Sequence, residues 1–140
     1  GLATARRLHA GHPHADRLRV TWVHGDVLDH PPAPRSCAAV VVAYLHLPPP
    51  ERRQVVRGAA NGLQVGGTLL VVGHDSSNLA EGVGGPQDRA VLFTASDVVG
   101  DLAGMDGLEV RRAERVQRPV AADDGERVAL DALVEVLRTA

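Results

Sequence analysis

Residues 38–45, Ala-Ala-Val-Val-Val-Ala-Tyr-Leu, form one uninterrupted apolar run, and residues 68–72, Thr-Leu-Leu-Val-Val, form a second. Apolar runs this short, rich in β-branched side chains and bounded by proline and glycine, suit strands covered on both faces, as in a parallel sheet. The first should therefore lie at the centre of its sheet. Between them, Pro48-Pro49-Pro50 precedes residues 51–63, where Val55, Val56, Ala59, Ala60 and Leu63 share one helical face and Arg52, Arg53 and Arg57 lie opposite. Asn61-Gly62 and Gly66-Gly67 end that helix and turn the chain into the second run. Strand, helix and strand in this order imply a right-handed parallel crossover and an α/β fold.

The flanking segments extend the pattern. Residues 2–9 carry helix formers on a short apolar face, stopped by Gly11-His12-Pro13. Leu18, Val20 and Trp22 alternate with Arg19 and Thr21, which predicts a strand over 18–24 ending at Gly25-Asp26. Thr94 with Asp97 reads as a capping box, followed by a short helix through Val98, Val99 and Leu102 that Gly104 stops. Leu108, Val110 and Val116 predict a strand running toward Pro119, its arginine-rich ends placing it at or near a sheet edge. Asp123-Asp124-Gly125 reads as a hairpin turn. After it, 127–137 fits two periods: Leu130, Leu133, Val134 and Leu137 suit a helix face, whereas Val128, Leu130, Ala132, Val134 and Val136 suit a strand face.

The composition excludes several functions. The 140 residues suffice for one domain with one core, and 44% of them are hydrophobic. No apolar run approaches the ~20 residues of a membrane helix, so a cytoplasmic chain with no membrane partner is expected. A net charge of −2 and only three aromatic residues, Trp22, Tyr44 and Phe93, argue against a nucleic-acid partner. The single cysteine, Cys37, rules out an intrachain disulfide and a multi-cysteine zinc site, and it is expected to be an inert core thiol. All cationic side chains are arginine, which removes lysine-based Schiff-base chemistry. His9, His12, His14, His24 and His30 crowd the first thirty residues without matching a metal-binding spacing, so no metal site is expected.

Three segments, taken together, point to a family. Trp22-Val23-His24-Gly25-Asp26-Val27, Val40-Val41-Val42-Ala43-Tyr44-Leu45-His46-Leu47 and Leu63-Gln64-Val65-Gly66-Gly67-Thr68-Leu69-Leu70-Val71-Val72 follow one another in order. They resemble the third strand with its Gly-Asp exit, the fourth strand with its acceptor-facing end, and the L-x-P-G-G-x-L-x-V lead-in to the fifth strand of class I S-adenosylmethionine-dependent methyltransferases. The resemblance is to the small single-domain bacterial type and runs over essentially the whole chain. Val65 departs from the family's proline, and Cys37-Ala38 from its aromatic-aspartate pair. Nothing in the sequence matches the family's first strand, its G-x-G-x-G loop or the acidic end of its second strand, and residues 1–11 look like the helix that follows that strand.

The resemblance implies a Rossmann-like, mostly parallel sheet with an antiparallel C-terminal hairpin. The family order is 3-2-1-4-5-7-6, with the N-terminal strands missing here and residues 1–140 forming one partial domain. The chain is then a fragment of a longer methyltransferase or a degenerate one. It implies S-adenosylmethionine as cofactor and a small-molecule methyl acceptor. The rival is a non-catalytic interaction or dimerisation module, a homodimer pairing through an exposed sheet edge; a weaker third reading is another Rossmann-like nucleotide-binding half.

The same resemblance names candidate residues. Asp26 would accept a hydrogen bond from the adenine amino group and Val27 would pack on the adenine face; read plainly, they are a turn aspartate and a core valine. Tyr44 would line the cofactor and acceptor pockets. His46 would act as general base, its ordinary pKa lying near operating pH, or it is simply a loop histidine. His74 and Asp75 close the second apolar run and open the loop at 76–93, a lid over the acceptor in this topology; either they contact substrate or the aspartate merely holds the histidine.

Overall fold

A computed structural model of the chain describes residues 1–122 and 125–140. It forms two compact units, Gly1–His30 and Pro31–Ala140. Among the described residues no helix is long and apolar enough to cross a membrane.

In the first unit, helix α1 spans Leu2–Ala10, with Arg7 and His9 in its last turn, where cations complement the helix dipole. It ends at Gly11, whose N–H donates to the Arg7 carbonyl at 3.1 Å. A single 3-10 turn follows at Ala15–Arg17. Residues 18–24, expected as a strand, form none. A strand exists only as part of a ladder, and no described residue pairs with this segment, whose Leu18, Val20 and Val23 stay exposed. The His9 ring meets Trp22 edge-on at 6.0 Å.

The second unit holds the core. Its described strands are β1 (Cys37–Ala43), β2 (Leu63–His74), β3 (Leu108–Ala122) and β4 (Gly125–Arg138). They make one sheet in the order β1-β2-β4-β3. β1 pairs parallel with β2, and β4 pairs antiparallel with both β2 and β3. The order is that of the last four strands of the expected family sheet, 4-5-7-6. The β1–β2 register slips between Cys37 and Ala39, where the partner positions jump from Leu63 to Thr68. Gly66 at φ +82° accommodates the slip, a conformation that costs glycine little.

One expectation is corrected here and one open alternative is resolved. The run at 38–45 lies at an edge of the described sheet, with Val41 61% exposed. Side-chain type reports a strand's preference for covered faces, but how many neighbours it has is a property of the sheet. The segment 127–137 resolves as strand: β3 pairs with it along its length and β2 pairs with it from Asp131 to Leu137, and a helix there would break both ladders. β3 lies at the opposite edge, as its arginine-rich ends predict. The turn expected at Asp123-Asp124-Gly125 falls largely outside the described residues; Gly125 pairs with Ala122 and has φ +125°.

Helix α2 (Pro49–Gly62) and helix α4 (Ala95–Asp101) cover one face of the sheet, separated in sequence by the short α3 (Asn78–Glu81). Val56, Ala59 and Ala60 of α2 and Val98 of α4 pack with Leu69, Val71, Val134, Val136 and Phe93 in one cluster. Each large apolar side chain buried there contributes about 1.5–3 kcal/mol. The α4 start is the expected box: Thr94 Oγ1 accepts the Asp97 N–H, and Asp97 Oδ2 accepts the Thr94 N–H.

Arg52 departs from the sequence reading. Its expected place was the solvated face, yet it is buried and its Nε donates to buried Asp101 Oδ2 at 2.7 Å. Positions 52, 56, 59 and 60 share one helical face, so its spacing puts it in the apolar stripe despite its charge. Asp101 at the end of α4 makes burial of the guanidinium tolerable. Cys37 is half-buried, with Sγ 3.4 Å from Ser36 Oγ.

Candidate functional site

The C-terminal ends of β1 and β2 meet the adjoining parts of β4 and β3, and polar side chains gather there. Sheet register sets their positions: His74, the last residue of β2, is directly opposite Asp131 on β4, and Asp131 is opposite Val116 on β3. Arg118 lies two residues along from Val116, within diagonal reach of Asp131. Tyr44 follows the end of β1, its N–H donating to the Val72 carbonyl at 2.7 Å. Its φ of +52° is the left-handed region, which a bulky non-glycine residue occupies only under constraint.

Asp131 organises the cluster. It is 1% exposed, and its Oδ2 accepts from Tyr44 Oη at 2.8 Å and from Arg118 Nε at 2.7 Å. The Arg118 guanidinium also lies over the Tyr44 ring, 5.4 Å from its centroid. His74 Nδ1 is 3.3 Å from Asp131 Oδ1 but not aligned for a hydrogen bond, and both buried atoms lack another partner. A small rotation of the imidazole would join them, and burial favours that bond.

Burial, then the bond and charge of Asp131, push the Tyr44 phenol above its ordinary pKa; Arg118 pulls the other way. The same carboxylate raises the Arg118 pKa and keeps the guanidinium charged. His46 is shifted down, mainly by burial and then by the charge of His74. The His46 ring stacks on His74 at 5.4 Å, and its Nε2 accepts the His74 backbone N–H at 3.1 Å. An acceptor there must be unprotonated, so this bond and the downward shift agree.

Two glycines permit the crowding. A Cβ on Gly73 would stand 2.6 Å from Phe93 Cζ, and one on Gly85, at φ +80°, would stand 2.5 Å from His74 Cδ2. The loop after β2 is pinned from beneath by buried Asn78, whose Oδ1 accepts the Leu130 N–H and whose Nδ2 donates to the Gly84 carbonyl.

Of the residues singled out from sequence, Tyr44, His46 and His74 come together here. Asp75 follows directly, but its carboxylate turns into the loop, where Oδ1 accepts from Ser77 N and Oγ at 2.9 and 2.7 Å. Asp26 and Val27 belong to the first unit, where Asp26 Oδ1 accepts the Leu28 N–H at 2.9 Å and Val27 is exposed. Among the described residues no group of three or more His, Cys, Asp or Glu side chains could hold a metal ion. Sequence reasoning missed Asp131 and Arg118. The available signal was a lone carboxylate inside the apolar stretch Ala-Leu-Asp-Ala-Leu-Val, since a charge in a core strand needs a partner.

No protein-family model matches the sequence, and no curated protein matches it. Solved structures do. A Bacillus halodurans C-125 protein assigned to the methyltransferases superposes with a TM-score of 0.63 at 15% identity, over 99% of this chain and 78% of that one. A SAM-dependent methyltransferase of Methanosarcina mazei matches with a TM-score of 0.56 at 13% identity, over 81% of this chain and 65% of that one. The N-methyltransferase NodS of Bradyrhizobium japonicum WM9 matches with a TM-score of 0.55 at 20% identity, over 87% and 63%. The chain thus spans less than two thirds of the latter two proteins. With its strand order and these likenesses, the chain has the fold of the class I S-adenosylmethionine-dependent methyltransferases.

Proposed function

We propose that the chain serves S-adenosylmethionine-dependent transfer of a methyl group to a small-molecule acceptor. The observation that carries this reading is the Tyr44–Asp131–Arg118–His74 cluster at the C-terminal ends of the parallel pair, where open α/β sheets bind ligands. When bound, S-adenosylmethionine supplies a sulfonium-activated methyl group that needs no further activation by the protein.

The residues present suit parts of that cofactor. Tyr44 is 42% exposed, with its hydroxyl held by Asp131 and the Arg118 guanidinium over its ring, and the remaining ring surface offers an aromatic contact for an apolar group. Asp26 and Val27, in the first unit, are proposed as adenine contacts on the family resemblance alone, and Asp26 Oδ1 accepts the Leu28 N–H. Acceptor contacts fall to Tyr44, His46 and His74, while Asp75, its Oδ1 held by Ser77, shapes the loop beside them. The protein's contribution is chiefly orientation and exclusion of water.

Where the acceptor must lose a proton, His74 suits the task better than His46. Asp131 stands behind its Nδ1 and can orient the ring as a carboxylate orients a catalytic imidazole. His46, with Nε2 committed to the His74 backbone, acts as a positioning residue that fixes the neighbouring ring.

Titration with S-adenosylhomocysteine by calorimetry, with melting followed in parallel, tests the reading. Because nothing in the sequence matches the family's glycine-rich loop, weak binding is expected, with stabilisation of about 2.7 kcal/mol once the ligand reaches a hundredfold excess over its Kd. Asp26→Ala should weaken it, and unchanged affinity would remove Asp26 from the site. A folded sample showing neither heat nor stabilisation would overturn the reading.

A further inference from the structure

Beside the cluster opens a pocket of about 340 Å³, walled by His74, Arg118 and Arg127, by Val83 and Val120, and by the glycines at 84–85. Its size suits a small ligand. Among the described residues that line it, the ionisable ones, His74, Arg118 and Arg127, are all basic. Asp131 lies buried beside the wall with Oδ2 already shared between Tyr44 and Arg118. Arg118 is fixed on two sides, Nε by Asp131 and its plane by the Tyr44 ring, yet 42% of its side chain remains exposed. A guanidinium held this way has already lost the rotamer freedom that ligand binding would otherwise cost. Val83 and Val120 add apolar surface around the charge.

The geometry points to an anionic methyl acceptor: a small molecule whose carboxylate or phosphate is held by Arg118 while its apolar body lies against Val83 and Val120. The inference rests on the methyl-transfer reading for the ligand's role as acceptor; the anion site itself stands on the pocket.

Benzoate, phenyl phosphate and their neutral relative benzamide are the probes, titrated into the protein with backbone amide shifts as readout. At least one anion should bind about tenfold more tightly than benzamide, a difference of roughly 1.4 kcal/mol. The tighter anion identifies carboxylate or phosphate as the group recognised. Arg118→Gln should weaken that binding by about tenfold or more. Because this variant also strips a partner from buried Asp131, Val120→Glu provides a second test that leaves the Arg118–Asp131 pair intact and sets a like charge against the ligand. Failure of both anions to outbind benzamide, or unchanged anion affinity in either folded variant, overturns the inference. A parallel S-adenosylhomocysteine titration separates the two ideas. Anion binding without cofactor binding removes the methyl-transfer reading and leaves the site, whereas cofactor binding without anion binding removes this inference alone.

Discussion

The two compact units of this chain carry similar local signals and reach different ends. Gly1–His30 has helix formers and an alternating apolar segment, yet none of its residues is buried. Pro31–Ala140 has the same kinds of pattern and contains all the buried residues. The helix of the first unit forms because its hydrogen bonds close within one segment, whereas the alternating segment at 18–24 needs a neighbour's backbone and forms no strand. Apolar patterning proposes an element, and a packed partner makes it.

Substitutions matched across the units test this difference. Arg52→Ala leaves the Asp101 carboxylate buried with only the weaker contact from Arg53 Nε at 3.4 Å, and should cost about 3–5 kcal/mol in urea unfolding. Leu8→Ala, at a side chain 69% exposed in the first unit, should stay within about 0.5 kcal/mol. Equal losses would erase the distinction.

A smaller effect is expected at the α4 cap. Thr94→Ala should cost about 1 kcal/mol by the same measurement. Hydrogen bonds from Thr94 hold the Asp97 carboxyl below its ordinary pKa of 3.8. A depressed folded pKa means this stabilisation is fully present above pH 3.8 and is lost as pH falls through the lower folded value. The difference between wild type and Thr94→Ala should therefore shrink in strong acid.

The aromatic inventory gives each unit its own reporter, Trp22 in the first and Tyr44, the sole tyrosine, in the second. Phenolate absorbance thus reads Tyr44 alone. Its midpoint should lie above 10, and Asp131→Asn should bring it down toward 10, since burial and Asp131 raise it. The sign for stability is the reverse of that at Asp97: the contribution is complete below pH 10 and lost as pH rises through the raised folded value. A midpoint at 10 in both proteins would remove the Tyr44–Asp131 bond from the solution structure. The smallest effect belongs to exposed Arg35 at φ +53°: Arg35→Gly relieves backbone strain at some cost in chain entropy, for a net gain under about 1 kcal/mol in thermal unfolding.

Much of the second unit is legible in its sequence because its signals are local. The capping box at Thr94, the helix after the triple proline and the run at 68–72 all stand where their residues place them. What escapes is set by partners distant in sequence. The edge position of 38–45 depends on which strands flank it, and the strand at 125–138 on two ladders that its own periodicity does not contain. Arg52 looks solvated until Asp101 is placed beside it, 49 residues away.

The candidate site divides in the same way. Tyr44, His46 and His74 are readable as strand ends in a recognised order. Asp131 and Arg118 are not, because the strand assignment that brings Asp131 opposite His74 is the one periodicity leaves open. The left-handed backbone at Tyr44 likewise has no sequence signal, for the usual marks of such a position are glycine or asparagine.

The location of the site is tested most directly by mapping backbone amide shifts on titration with S-adenosylhomocysteine. Perturbations are expected to concentrate at residues 44–46, 74–75 and 130–131, with residues 63–67 and Arg138 at the opposite end of the sheet unmoved. Shifts centred on that opposite end would contradict ligand binding at the Tyr44–Asp131 cluster, as would no shifts at saturating ligand.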